Sequence, residues 1–212
     1  METPHNRDRR EEDALEKAQE VLAEAREQDI VNEKLLAQNV LLKIMTIDPE
    51  AIVAGGAPRD WELDRPCRDI DIFLKSTAIS GWEVGYQIQK ALTVQLTGGH
   101  YSFDERQRMV GFNECDNMKK LELRDVYMDN DLKDITCEEQ YDNSNIKAIF
   151  ECNVVMLDED GENDFTKKVQ FIIVKNLIYK ELFETFDCSI NQIALKVEEY
   201  PGVDAELFFR KI

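Results

Sequence analysis

Apolar residues recur at three- and four-residue steps across the first forty-five positions of the chain. Leu15, Ala18, Leu22 and Ala25 form one such series, and Leu35, Leu36, Val40, Leu41, Ile44 and Met45 form another. With no Gly or Pro between them, the pattern predicts one helix from about Arg10 to Met45. Its first half is thinly apolar and dense in Glu and Arg. That composition suits a solvated helix held by charge pairs, or a weak coiled-coil contact. Its second half is apolar enough to pack on a core. Asp48-Pro49 should end the helix, because proline cannot continue it and disfavours the helical region before it.

The rest of the chain is read the same way. Ala51 to Ala54 predicts a short buried strand running into Gly55-Gly56, followed by a helical turn. Asp69 to Lys75 begins with strict polar/apolar alternation, as in a strand with one wet face. Gly81 to Leu92 reads as helix. Thr97 to Ser144 is polar, acidic and irregular, and reads as a long insertion. Ile146 to Leu157 and Lys168 to Asn176 read as strands. The acidic run Asp158 to Asp164 between them lacks the sixth-position Gly and twelfth-position Glu of a calcium loop, so a hairpin turn through Asp160-Gly161 fits better. Leu177 to Phe186 reads as helix, and Ile190 to Val197 and Ala205 to Phe209 as strands around Tyr200-Pro201-Gly202. No internal repeat is seen. The sum is an α+β chain with helices on one face of a small mixed sheet. Residues 1–32 form a charged helical extension, and residues 33–212 form the domain, with 97–144 as its acidic insertion.

Composition narrows the function. The 212 residues are 43% hydrophobic and 33% charged, enough for a packed core. Forty-four acids against 26 bases give a formal charge of −18. Such a surface repels phosphate backbones, so the whole chain is not a nucleic-acid clamp, although a small basic cleft on an acidic body is allowed. The N-terminal residues carry no apolar stretch of a secretory signal. No run approaches the ~18 apolar residues of a membrane span. Five cysteines (Cys67, Cys115, Cys137, Cys152 and Cys188) lie at wide, irregular spacing with no CxxC pair, which favours a reducing, cytoplasmic setting. With only His5 and His100, histidine-based chemistry has little to work with.

The chemistry concentrates between Ile52 and Phe73. Glycines at 55 and 56 let backbone N–H groups turn toward a ligand with no Cβ in the way, and the helical turn after them favours anions. Thirteen residues after Gly56 comes Asp69, and two later Asp71. On a strand these positions face the same way, roughly 7 Å apart. Two neighbouring carboxylates repel, and are stable chiefly with something cationic between them. Carboxylates suit Mg²⁺, which commonly bridges to phosphates. A phosphate-cradling turn beside such a pair suits phosphoryl or nucleotidyl transfer. Arg59 and Arg68 could pair with phosphate oxygens, although Arg59 could equally be held by Asp60. Trp61 suits a core anchor better than a base-stacking platform.

The segment Gly55-Gly56-Ala57-Pro58-Arg59-Asp60 followed by Asp69-Ile70-Asp71 resembles the motif of polymerase-β-type nucleotidyltransferases. The form is that of the head domain of CCA-adding enzymes and bacterial poly(A) polymerases, and of short phage-encoded relatives. Pro58 stands where that family usually has Val, and Asp64 where it often has Gly. Phe186 to Leu195 is similar to a second family segment, with Thr185 and Phe186 replacing its paired arginines. The resemblance implies a nucleotidyltransferase-type mixed sheet with helices on one face, preceded by a long N-terminal helix. It also implies Mg²⁺ (or Mn²⁺) held by Asp69 and Asp71, and an NTP bound by Gly55, Gly56, Arg59 and Arg68. It further implies a third carboxylate from the second strand of the following hairpin, where this chain has Gln170. Glu151 on the preceding strand is a candidate substitute.

Two expectations follow. The first is transfer of a nucleotide from an NTP to an acceptor hydroxyl, with release of pyrophosphate. The acidic charge favours a protein or small-molecule acceptor over a long nucleic acid. The second is a non-catalytic binding protein on the same scaffold, acting through its acidic surface on a protein partner. The N-terminal helix is a candidate for a partner contact or self-association. No membrane partner is expected, and the compartment implied is the cytoplasm, of the host cell if the chain is phage-encoded.

Overall fold

A computed structural model describes residues 4–75, 80–93, 110–114, 117–121, 124–136, 145–158, 162–175, 182, 193–200 and 206–211. Side chains are described within 14–75, 80–93, 124–136, 145–158, 162, 164–175, 182 and 193–196. Among the described residues, three helices and a mixed sheet make up an α+β architecture.

The first helix, α1 (Pro4–Ile44), opens on proline, whose missing N–H is one of the donors a helix start leaves unpaired. Side chains 14–29 are exposed, including Leu15, Val21 and Leu22, and burial sets in at Ile30. From there Leu36, Val40, Leu41 and Ile44 are fully buried. The helix stops one turn before Asp48-Pro49. Asp48 then ties this corner to the sheet, accepting from Glu50 N–H at 3.0 Å and from Lys75 N–H at 2.6 Å.

β1 (Ile52–Ala54), α2 (Gly56–Glu62), β2 (Ile70–Lys75) and α3 (Gly81–Thr93) follow within a residue or so of the sequence pattern. β7 (Ile146–Leu157) has the anticipated bounds. β8 (Asn163–Val174) starts five residues before the anticipated Lys168, because the polar stretch Asn163 to Lys167 continues the hairpin pairing with β7. β9 (Ala194–Tyr200) and β10 (Glu206–Lys211) follow. The Asp160-Gly161 turn and the helix over 177–186 lie outside the described residues, apart from Leu182.

Two expectations need correction. The stretch 97–144 is not wholly irregular. It contributes β3 (Val110–Glu114), β4 (Asn117–Leu121), β5 (Val126–Met128) and β6 (Lys133–Asp134). Strands of two to five residues are too short to show a period, and these are fixed by distant partners, β3 by β10 and β5 and β6 by β7. For the same reason the sheet is not small. It runs β4-β3-β10-β9-β1-β2-β8-β7-β5, with β6 also on β7. Pairs β2/β8 and β3/β10 are parallel and the rest antiparallel.

The two faces of the sheet differ. Val53, Ile70, Ile72, Leu74, Val169, Phe171, Ile173, Phe150 and Val154 join α1, α2 and α3 in one large apolar core. The alternate residues of the same strands point the other way. There Ile52, Ala54, Phe73, Ile149, Ile172 and Val174 make a smaller cluster with Leu182. Asp71, Glu151, Lys168 and Gln170 belong to that second face by strand alternation, so the polar residues of interest stand opposite the three helices.

Candidate functional site

β1 ends in the middle of the sheet, and the chain turns at once into α2. The turn needs Gly55, whose φ of 89° and ψ of −131° lie where side-chain-bearing residues are strained. The turn also needs the space. A Cβ on Gly55 would sit 3.1 Å from Asp71 Oδ2. The backbone of the glycine turn therefore lies against the Asp71 carboxylate, as the spacing from Gly56 to Asp69 implied. At Gly56 an added Cβ would meet Arg59 Nη2 at an ordinary 3.6 Å.

The α2–β2 connection is held from below. Glu33 of α1 is fully buried and accepts from Trp61 Nε1 at 2.7 Å, Cys67 N–H at 2.9 Å and Lys167 Nζ at 2.6 Å. Lys167 also donates to the Cys67 carbonyl. Trp61 is thus a core anchor with its indole N–H satisfied. Cys67 is buried, and its thiol is pushed up in pKa by burial and then by Glu33, so it is no nucleophile. Within the same connection Asp64 takes φ 52°, the left-handed region. That is the position where the resembled family often has Gly, and Asp is among the few residues that tolerate it.

Register places the acids. Asp71 pairs with Gln170 across β2/β8, Gln170 pairs with Glu151 across β8/β7, and Glu151 pairs with Lys133 across β7/β6. These four residues form one row across four strands. Gln170 donates to Glu151 Oε2 at 3.0 Å. Lys168, two residues earlier on β8, reaches Glu151 Oε2 at 3.1 Å and Asp69 Oδ2 at 3.4 Å. Asp69 and Asp71 therefore stand on the same face, one against Lys168 and the other beside Gln170.

Electrostatically the cluster is balanced. Arg68 donates to Asp69 Oδ2 through Nε at 3.2 Å and Nη2 at 3.1 Å. Burial acts to raise the pKa of the Glu151 carboxyl, but the Gln170 and Lys168 hydrogen bonds and the charges of Lys168 and Lys133 outweigh it and hold it below its ordinary value. Burial likewise acts to lower Lys168, and is outweighed by Glu151 and Asp69, which hold its ammonium above the ordinary value. Both groups are ionised near neutral pH.

Arg59 lies beside the Gly56 turn and is paired with Asp60 at 2.7 Å, the structural role open to it from sequence. Gln170 is only 4% exposed, so it is neither a surface residue nor idle: it bridges from Asp71's register position to Glu151. Glu151 sits one strand farther from Asp71 than a residue at position 170 does. Among the described residues no three His, Cys, Asp or Glu side chains converge as a metal-binding group. Asp69 and Asp71 supply two carboxylates, which suits an ion that takes one or two carboxylates and fills its shell with water and phosphate oxygens. The segment from Phe186 to Gln192 lies outside the described residues. Its continuation, Ala194, pairs with Ala54 immediately before Gly55.

Lys168, Lys167 and Glu33 were not singled out from sequence. Lys168 had a readable signal, since it lies two residues from Gln170 on a predicted strand and shares its face. Glu33 had none, because its partners are brought to it only by the tertiary fold. No family model, curated protein or solved structure matches this chain. No helix among the described residues is long and apolar enough to cross a membrane.

Proposed function

We propose that the protein is a divalent-metal-dependent nucleotidyltransferase of the polymerase-β type, moving a nucleotide from an NTP to an acceptor hydroxyl. The observation that carries this reading is the close approach of Asp71 to the side-chain-free turn at Gly55, with Asp69 on the same sheet face. Only glycine takes this conformation without strain, and it lets the backbone pass against a carboxylate, the close approach that a metal-bridged phosphate needs.

In this reading Asp69 and Asp71 hold Mg²⁺ or Mn²⁺, which supplies charge neutralisation for the polyphosphate and the developing oxyanion. Gly55 and Gly56 leave the backbone open to phosphate oxygens. Arg68 lies beside Asp69, where its guanidinium can exchange a carboxylate for a phosphate oxygen. Arg59, beside the Gly56 turn and braced by Asp60, is placed to assist at the phosphates. The acceptor oxygen attacks the α-phosphorus, forming a new P–O bond, and pyrophosphate leaves as the α–β bridge breaks. Gln170, opposite Asp71, offers no base for the acceptor's proton. Transfer by this chain is therefore slow beside that of a three-carboxylate site. The acidic body favours a protein or small-molecule acceptor over a long nucleic acid.

A second reading has its own supporting observation. Gln170 puts an amide where the resemblance implies an acid, and Lys168 sets an internal cation between Asp69 and Glu151. That suits a non-catalytic scaffold acting through its acidic surface on a protein partner.

The test incubates the protein with labelled NTPs, Mg²⁺ or Mn²⁺ and mixed acceptors, beside Asp69→Asn and Asp71→Asn. Metal-dependent transfer lost in both variants supports the enzyme. Absence of transfer together with absence of metal-dependent stabilisation by any NTP overturns it in favour of the scaffold.

A further inference from the structure

One of the two acids of the candidate site, Asp69, already has cations against it. Asp69 Oδ2 is contacted by both nitrogens of the Arg68 fork and lies 3.4 Å from Lys168 Nζ. Lys168 is not committed to Asp69, since its ammonium is nearer Glu151 Oε2, at 3.1 Å. Glu151 is itself steadied by the Gln170 amide. A lysine ammonium on a four-carbon stem can move between two carboxylates without any change of backbone.

We propose that Lys168 is an internal counter-cation for this site, which must give up Asp69 and withdraw to Glu151 before a divalent ion can take the carboxylate. The proposal rests on reading Asp69 and Asp71 as metal ligands. It assigns Glu151 a part other than that of a third ligand: it receives the displaced ammonium. The physical basis is Coulombic, because an ammonium and a divalent cation cannot share one carboxylate oxygen without strong repulsion. Two consequences follow. Free metal binds weakly, since it displaces a cation already in place. A polyphosphate draws Arg68 and Lys168 off Asp69, so nucleotide and metal strengthen each other's binding by the same factor.

Mn²⁺ binding, followed by titration calorimetry or electron paramagnetic resonance, tests this in the wild type, Lys168→Met, Lys168→Arg, Glu151→Gln and the Lys168→Met, Glu151→Gln double variant. Removing one partly exposed competing charge should tighten Mn²⁺ binding about five-fold in Lys168→Met, while Lys168→Arg stays near wild type. Glu151→Gln should weaken binding about three-fold, and that loss should vanish in the double variant, because Glu151 acts through Lys168. Should Lys168→Met not fold, Lys168→Gln carries the same expectation. Mn²⁺ binding no tighter in Lys168→Met than in wild type overturns the proposal and leaves the metal-site reading intact. Equal weakening by Glu151→Gln in both backgrounds also overturns it, making Glu151 a direct ligand. No Mn²⁺ bound by any form, with or without ATP, removes the metal site and the proposal together.

Discussion

Replacing Gly55 by alanine probes the arrangement on which the candidate site depends. Two penalties are legible in the structure. The φ of 89° with ψ of −131° is a conformation that side-chain-bearing residues adopt only under strain, on the order of 1–3 kcal/mol. The new methyl would also sit 3.1 Å from Asp71 Oδ2, so the carboxylate must give way by a few tenths of an ångström. The carboxylate can swing, so backbone strain dominates the stability cost. Taking about 2 kcal/mol, a chain of this size should melt roughly 4–8 °C lower. Gly56→Ala is the matched control. Its methyl meets only Arg59 Nη2 at 3.6 Å, in the first helical residue of α2, where alanine is the better helix former. Calorimetric melts should therefore show Gly55→Ala clearly destabilised and Gly56→Ala unchanged or slightly raised. A second readout is Mn²⁺-dependent stabilisation, which should fall in Gly55→Ala as Asp71 is displaced. Melting of Gly55→Ala within about 1 °C of wild type, or a larger loss in Gly56→Ala, would refute the reasoning.

Other expectations follow from the framework around the site. Glu33→Gln removes the charge that faces Lys167 in a buried network, and should cost about 3 kcal/mol by urea denaturation. Lys43 is buried on α1 and donates to the Val126 carbonyl. Burial pulls its pKa from 10.5 down to about 8, against the opposing effect of Asp125. Between those two pH values the unfolded lysine keeps a proton that the folded one has released. Wild-type stability should therefore rise relative to Lys43→Met as pH goes from about 8 to 10.5, as urea melts across that range will show. A chain that begins at Ile30 should keep its melting temperature, since side chains 14–29 are exposed, whereas one that begins at Val40 loses Leu35, Leu36 and Glu33 and should not fold.

Legibility in the sequence tracked how local the cause was. β7 was readable to the residue because twelve positions of apolar pattern leave little choice of register. The turn at Gly55 and the acid pair at the start of β2 were readable because glycine chemistry and strand alternation act over a few residues. The strand that carries Gln170 was readable from its apolar run, and its parallel pairing with β2 sets Gln170 beside Asp71. What could not be read arises from contacts between distant segments. β3 and β4 lie in a polar stretch and pair with each other, and they join the sheet only through β3 on β10, almost a hundred residues away. The sequence pointed to a divalent ion between Asp69 and Asp71, and gave no sign of the two side-chain cations at Asp69. Arg68 and Lys168 meet at Asp69 only because β8 runs parallel to β2 in this register.

The placement of β10 between β9 and β3 also bears on how the chain is made. On a ribosome, the segment that carries β3 and β4 emerges long before the strand that joins it to the sheet. Closing that join is a non-local step of high contact order, so it should come late and slowly. Until then the β9 edge beside the central strands is open to pairing with any other extended chain. Synthesis that stops short of Glu206 would therefore leave a half-built sheet with an adhesive edge, and the final six-residue strand acts as its seal.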